Sequence, residues 1–232
     1  MLVNGTIDEV TYNTTSGVVV NKFTTSETFS GWTPTNASII SNSTVAPDGS
    51  YTATKIVEDS YNAIHRIITN QTFAPGITYT MSTYAKAAER RNFIIFHESG
   101  STANRAGVQA NLQTGTISNY TTGSGTVNNS FISNIGNGWY RFGFTFTGTV
   151  AESPTITYRL IDNTGALTYT GDGASGLYIW GAQFEQSPNV TTYVGKGAST
   201  ILTPAFKARE VPDTVYTTSQ FDEITLIGRA HV

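Results

Sequence analysis

Gly138-Trp139-Tyr140-Arg141-Phe142-Gly143-Phe144-Thr145-Phe146-Thr147 decides the fold class. The ten residues alternate strictly. Tyr140, Phe142, Phe144 and Phe146 fall on one side of an extended chain, and Trp139, Arg141, Gly143, Thr145 and Thr147 on the other. Four aromatics at a period of two need a core to face, and that period excludes a helix.

Three further runs repeat the pattern. Residues 77–86 set Ile77, Tyr79, Met81, Thr83 and Ala85 against Thr78, Thr80, Ser82, Tyr84 and Lys86. Residues 155–162 set Ile156, Tyr158 and Leu160 against Thr155, Thr157 and Arg159. Residues 176–185 set Tyr178, Trp180, Ala182 and Phe184 against Leu177, Ile179, Gly181 and Gln183. This last strand is apolar on both faces near its middle, which predicts a central position or a second segment packed on it, with Trp180 in the core. Phe93-Ile94-Ile95-Phe96 within 91–98 reads the same way, and residues 63–68 read as an alternating strand with His65 on its polar face. Turn signals such as Ala46-Pro47-Asp48-Gly49, Gly136-Asn137-Gly138, Asn163-Thr164-Gly165 and Gly171-Asp172-Gly173 punctuate the runs. Residues 85–91 have a helix-friendly composition but are too short to stand alone, and serve equally as a strand end and a charged turn.

Composition agrees. Of the 232 residues only 12% are charged, about half the usual share, while 38% are hydrophobic and 12% aromatic. Thr is the commonest residue, and Thr, Asn and Ser build the polar faces that Lys and Glu build in helical proteins. The chain has no cysteine, which excludes disulfides, a thiol nucleophile and any cysteine-bearing metal centre. The net charge of −3 and 13 basic residues argue against a nucleic-acid partner; Arg90, Arg91 and Arg105 around one hairpin are too few. No apolar run approaches the length of a membrane helix, and the first residues lack the pattern of a secretory signal. The Asn-x-Ser/Thr sequons read as a consequence of composition.

Three zones are expected. Residues 1–24 form an N-terminal arm with a short strand at Val18-Val19-Val20. Residues 25–195 form the main sandwich, and residues 196–232 a C-terminal extension for attachment or oligomer contact, with Pro204, Pro212, the charged Lys207-Ala208-Arg209-Glu210 and the apolar Ile224-Thr225-Leu226-Ile227. The predicted fold is all-β: an antiparallel two-sheet jelly-roll sandwich with an arm and an extension.

Five blocks in order carry a family resemblance: Phe29-Ser30-Gly31-Trp32-Thr33, Ala46-Pro47-Asp48-Gly49, Tyr84-Ala85-Lys86-Ala87-Ala88-Glu89-Arg90, Gly136-Asn137-Gly138-Trp139-Tyr140-Arg141, and Gly171 through Glu185 with Thr191-Thr192-Tyr193-Val194. Over residues 25–195 the chain resembles the jelly-roll domains of bacteriophage structural proteins, which are similar to carbohydrate-binding modules and concanavalin-like sandwiches. The resemblance implies a non-enzymatic structural component of a phage particle, either a capsid decoration or fibre protein or a tail fibre protein. It implies other virion proteins as partners, a symmetric homo-oligomer such as a trimer, and assembly in the host cytoplasm into the virion. A host-surface glycan-binding module is the alternative, and a polysaccharide hydrolase a further one.

The catalytic inventory is thin. Gly171-Asp172-Gly173-x-x-Gly176 precedes a strand and fails as a dinucleotide fingerprint. His97 and Glu98 are strand neighbours pointing to opposite faces, His65 reads as above, and His231 is next to the C-terminus. Glu89, Glu98, Glu152, Asp162 and Glu185 are available, but nothing pairs two of them as a glycosidase requires, and Gln183, on the face of Glu185, is an amide. No catalytic residue, cofactor or metal ligand is therefore assigned. The resembled modules often hold a structural calcium, for which Asp48 and Asp172 are the candidates; an Asp in a Gly-rich turn more commonly closes an Asx-turn. Trp32, Tyr61, Tyr84, Trp139 and Arg141 fall on polar faces or loops and are the glycan-binding candidates, each also able to pack under a loop or against a partner chain.

Overall fold

The computed structural model describes residues 18–99, 104–149, 154–195 and 199–201, which lie within one unit, Gly17–Leu202. The remainder of the expected arm and extension, with Pro204, Pro212, residues 207–210 and 224–227, and His231, lies outside the described residues.

Among the described residues the structure is all-β. In chain order the strands are β1 (Val18–Val20), β2 (Thr33–Thr35), β3 (Ala37–Thr44), β4 (Ala53–Glu58), β5 (Asn62–Ala63), β6 (Arg66–Asn70), β7 (Thr78–Ala87) and β8 (Asn92–Ser99). They continue with β9 (Asn104–Asn111), β10 (Thr116–Thr122), β11 (Asn129–Gly136), β12 (Trp139–Thr147), β13 (Thr155–Ile161), β14 (Tyr169–Thr170), β15 (Gly176–Glu185) and β16 (Ser199–Ile201). Two six-stranded antiparallel sheets, β10-β9-β8-β13-β6-β2 and β11-β12-β7-β15-β4-β3, pack as a jelly-roll-like sandwich. Two-stranded ribbons join β1 to β16 and β14 to β5. The candidate helix at residues 85–91 is a strand end and a turn.

The inner faces interlock as the alternation requires. Phe142, Phe144 and Phe146 of β12, Tyr79 and Met81 of β7, and Leu177 and Ile179 of β15 meet Phe93 and Ile95 of β8 and Ile156, Tyr158 and Leu160 of β13. Rings cross the interface edge-on, with Phe93 6.1 Å from Phe142. Full burial of each such side chain contributes about 1.5–3 kcal/mol. The hairpin from β11 to β12 turns on Gly136, Asn137 and Gly138, at φ of 92°, 53° and 80°, a left-handed run that Gly and Asn adopt with least strain.

β15 is central, between β7 and β4, but its alternation breaks. The pairing with β7 shifts between Trp180 and Gln183, and Gly181 has φ 60°. This bulge flips the parity. Leu177 and Ile179 face the main core before it, and Ala182 and Phe184 after it. Trp180, expected in that core, instead packs with Ala46, Ala53 and Trp139 in a second cluster, with Tyr84, Tyr178 and Tyr193 against it.

Two local expectations also change. Residues 63–68 are not one strand: β5 ends at Ala63 and β6 starts at Arg66. His65 between them is fully buried, with Nδ1 2.7 Å from the Asn36 carbonyl and Nε2 3.1 Å from that of Tyr169. Part of the expected arm is built into the sandwich. Phe23 is in the main core, and Asn21 donates from Nδ2 to the Ala182 and Val194 carbonyls while its Oδ1 accepts from the Phe184 N–H.

Candidate functional site

The five glycan-binding candidates separate. Trp32 is only 5% exposed, in the main core 4.8 Å from the Tyr158 ring. Trp139 is 2% exposed and donates from its indole N–H to the Val45 carbonyl. Both were expected on a polar face or loop, and both are corrected to packing residues: Trp32 fills the sandwich, and the bulged β15 brings Trp180 to Trp139 on the outer side. Tyr61 is 69% exposed, with its N–H bonded to Asp59. Tyr84 and Arg141 come together, the guanidinium 5.3 Å from the ring centroid.

A strap, residues 187–195, lies over the outer face around that pair. Arg141 donates to the Thr191 carbonyl at 2.7 Å and to Ser82 Oγ at 3.2 Å. Gln183 Nε2 donates to Thr191 Oγ1, and its Oε1 accepts from the Val194 N–H. Glu185 accepts twice from Thr191. Thr80 donates to the Ser187 carbonyl, and the Tyr193 ring lies tilted against Trp180 at 4.7 Å. Burial lowers Arg141 from its ordinary value, opposed by Tyr84, Glu185 and Tyr193. Both terminal nitrogens of Arg141, and the side chains of Gln183 and Glu185, are engaged by the chain itself, while Arg141 Nε is buried without a partner.

The carboxylates are engaged in structure as well. Buried Glu58 takes a bidentate contact from Arg90 and accepts from the Tyr169 hydroxyl and the Asp172 N–H. Glu98 pairs with Arg105, and Glu89 with Lys55. The Arg90, Arg91 and Arg105 group disperses: Arg90 to Glu58, Arg91 to Gln113 and Asn163, Arg105 to Glu98. Asp48 closes an Asx-turn onto Ser50, and Asp172 one onto Ala174 and Ser175. Bonds from Ser175 and Ala174 hold the Asp172 carboxyl down to about 2. No cluster of three His, Asp or Glu side chains able to hold a metal occurs among the described residues. His97 points into the core, 4.2 Å from the Phe146 ring, while Glu98 points out, as their adjacency requires.

The outer face of the other sheet carries the residues that sequence reasoning missed. Ile67 and Tyr158 are paired across β6 and β13 and face the core, so their neighbours Arg66 and Arg159, also directly paired, face out. Phe96, Ile94 and Ile161 form a small cluster there with Tyr120 and Leu167 packed on it. Half-buried Tyr120 lies 5.2 Å from the Phe96 ring, and the Arg105 guanidinium lies 5.7 Å from the same ring. The available signal was two arginines at outward positions of neighbouring strands, but only the register pairs them.

No family model matches the chain, and no curated protein matches it. Among solved structures it is similar to a bacteriophage tailspike domain, the enzymatically active domain of tailspike protein 4 of bacteriophage CBA120. The TM-score is 0.43 and the identity 11%; the match covers 71% of this chain and 21% of that one. This finding corrects the expectation of a non-enzymatic protein, because the neighbour is described as enzymatically active. No helix among the described residues is long and apolar enough to cross a membrane.

Proposed function

We propose that the chain is a bacteriophage virion component, in contact with other virion proteins and further copies of itself, that binds carbohydrate through the outer face of the β10-β9-β8-β13-β6-β2 sheet. One observation carries the choice of face. Half-buried Tyr120 lies over the buried Phe96 ring on it, bordered by Arg105, whereas on the opposite sheet residues 187–195 engage Arg141, Gln183 and Glu185. Sugar C–H groups pack on aromatic faces while hydroxyls take hydrogen bonds from neighbouring polar side chains, which is the usual division of labour in a small-molecule site. The virion assignment is supported by the five ordered sequence blocks and by a Thr- and Asn-rich composition low in charge.

The test is a glycan array carrying bacterial surface polysaccharides, probed with the full chain and with Tyr120→Ala. Binding that the variant loses supports the reading, and absence of binding at millimolar sugar overturns it. Reducing ends released from the bound polysaccharides are measured alongside, so that hydrolysis is scored separately from recognition.

A further inference from the structure

Native proteins rarely leave buried polar atoms without partners, and each exception calls for an explanation. Three such atoms fall on one patch here: Arg66 Nε, Arg159 Nε and Thr157 Oγ1. They belong to adjacent strands and one face. Arg66 and Arg159 are directly opposite in the β13–β6 pairing, and Thr157 is two residues from Arg159, on the same side of β13. Like charges directly opposite in a sheet are destabilising. Arg159 is only 6% exposed, and among the described residues neither arginine has a carboxylate within ion-pair distance. Its one hydrogen bond runs from Nη2 to the Leu167 carbonyl at 2.6 Å, which anchors a loop but supplies no charge. Burial lowers Arg159 from its ordinary value, and the positive charges of Arg105 and Arg66 act in the same direction, with Tyr120 and Tyr169 opposing.

Two paired guanidinium groups beside a free hydroxyl form a donor set for an oxyanion. The planar fork of Arg suits a carboxylate, which accepts two parallel N–H bonds. Half-buried Ile68 borders the patch on β6, and half-buried Tyr120, over the buried Phe96 ring, lies on the same face, since Phe96 pairs with Thr157 and with Gly107, and Tyr120 with Gly107. We propose that Arg66, Arg159 and Thr157 form the acid-recognising part of the carbohydrate surface and take the carboxylate of an acidic sugar, a uronate, whose ring lies toward Tyr120. This rests on the carbohydrate reading above and adds the substrate class.

The experiment titrates the full chain with sodium glucuronate, glucose and sodium sulfate at constant ionic strength, following the arginine Nε–H resonances by NMR and the heat of binding. Glucuronate should shift the Arg66 and Arg159 Nε signals and bind about tenfold or more tighter than glucose, and Arg66→Gln should remove that preference, since a charged hydrogen bond contributes about 1.5–3 kcal/mol. Circular dichroism of the variant checks the fold, and the wild-type Nε shifts stand on their own if it fails. Equal binding of glucuronate and glucose overturns the proposal, as do Nε signals that neither anion moves. Sulfate binding as tightly as glucuronate overturns the sugar assignment in favour of a simple anion site. Array binding confined to neutral glycans overturns this proposal while the carbohydrate reading stands; Nε shifts with no array binding overturn the carbohydrate reading and leave only an anion site.

Discussion

Glu185 and Thr191 are joined twice: the Thr191 N–H donates to Oε1 at 3.1 Å and its hydroxyl to Oε2 at 2.6 Å, with Glu185 fully buried. This contact helps hold the 187–195 strap onto the outer face of β7, β12 and β15. Thr191→Val keeps the shape and removes the hydroxyl donor, leaving a buried carboxylate oxygen short of a partner. The expected loss is about 1–3 kcal/mol in urea unfolding, with faster proteolysis within the strap. An unchanged midpoint would show that the strap is held by its other contacts.

Glu58 and Arg90 form a second buried pair, and here single and double substitutions separate two costs. Arg90→Met leaves the Glu58 carboxylate buried with only Tyr169 and the Asp172 N–H as donors, and should cost about 3–5 kcal/mol. The double variant Glu58→Met/Arg90→Met removes both charges and should be more stable than Arg90→Met alone. A double variant that adds the two single losses would argue against a coupled pair.

His97 makes stability depend on pH. Burial holds its imidazole down to about 4 against the ordinary 6.5, and neither ring nitrogen has a hydrogen-bond partner. The unfolded chain therefore takes up the proton first. Stability from this group is complete above about pH 6.5 and falls by up to about 3 kcal/mol as pH drops toward 4. His97→Phe, placed among Phe73, Phe144 and Phe146, should lose less stability than the native chain between pH 7 and 4.5. Parallel unfolding curves for the two proteins across that range would contradict the assignment.

Gly181→Ala tests the bulge. At φ 60° a Cβ would lie 2.9 Å from the Tyr84 ring and 3.3 Å from that of Tyr193. Left-handed strain and the displaced rings together should cost about 1–3 kcal/mol. Loss of the near-ultraviolet circular dichroism of the Trp180–Tyr84–Tyr193 cluster would accompany it. A native-like spectrum and midpoint would mean that the bulge tolerates a side chain.

The sandwich was legible because period-two alternation survives wherever one face meets a core. Phe142, Phe144 and Phe146, Tyr79 and Met81, and Ile156, Tyr158 and Leu160 all lie where the pattern puts them. It failed at Trp180 because one bulge residue inverts parity and Gly181 gave no sign of its conformation. Trp139 misled because the sequence does not show what covers an outer face; a sheet folded over by its own chain buries aromatics that alternation assigns to solvent. Trp32 misled for another reason: it precedes β2 outside any alternating run, and its ring turns into the main core. Arg66 and Arg159 escaped notice for the converse reason. They are 93 positions apart, and only the antiparallel register of β6 and β13 brings them together.

The most direct measurement is the affinity of the full chain and of Tyr120→Ala for the polysaccharide that the array binds best, by isothermal titration, with Tyr61→Ala as a surface aromatic on the β4–β5 turn. Tyr120→Ala should weaken binding about tenfold or more, and Tyr61→Ala should leave it within about twofold. Native affinity in Tyr120→Ala would contradict the placement of the carbohydrate surface on this sheet.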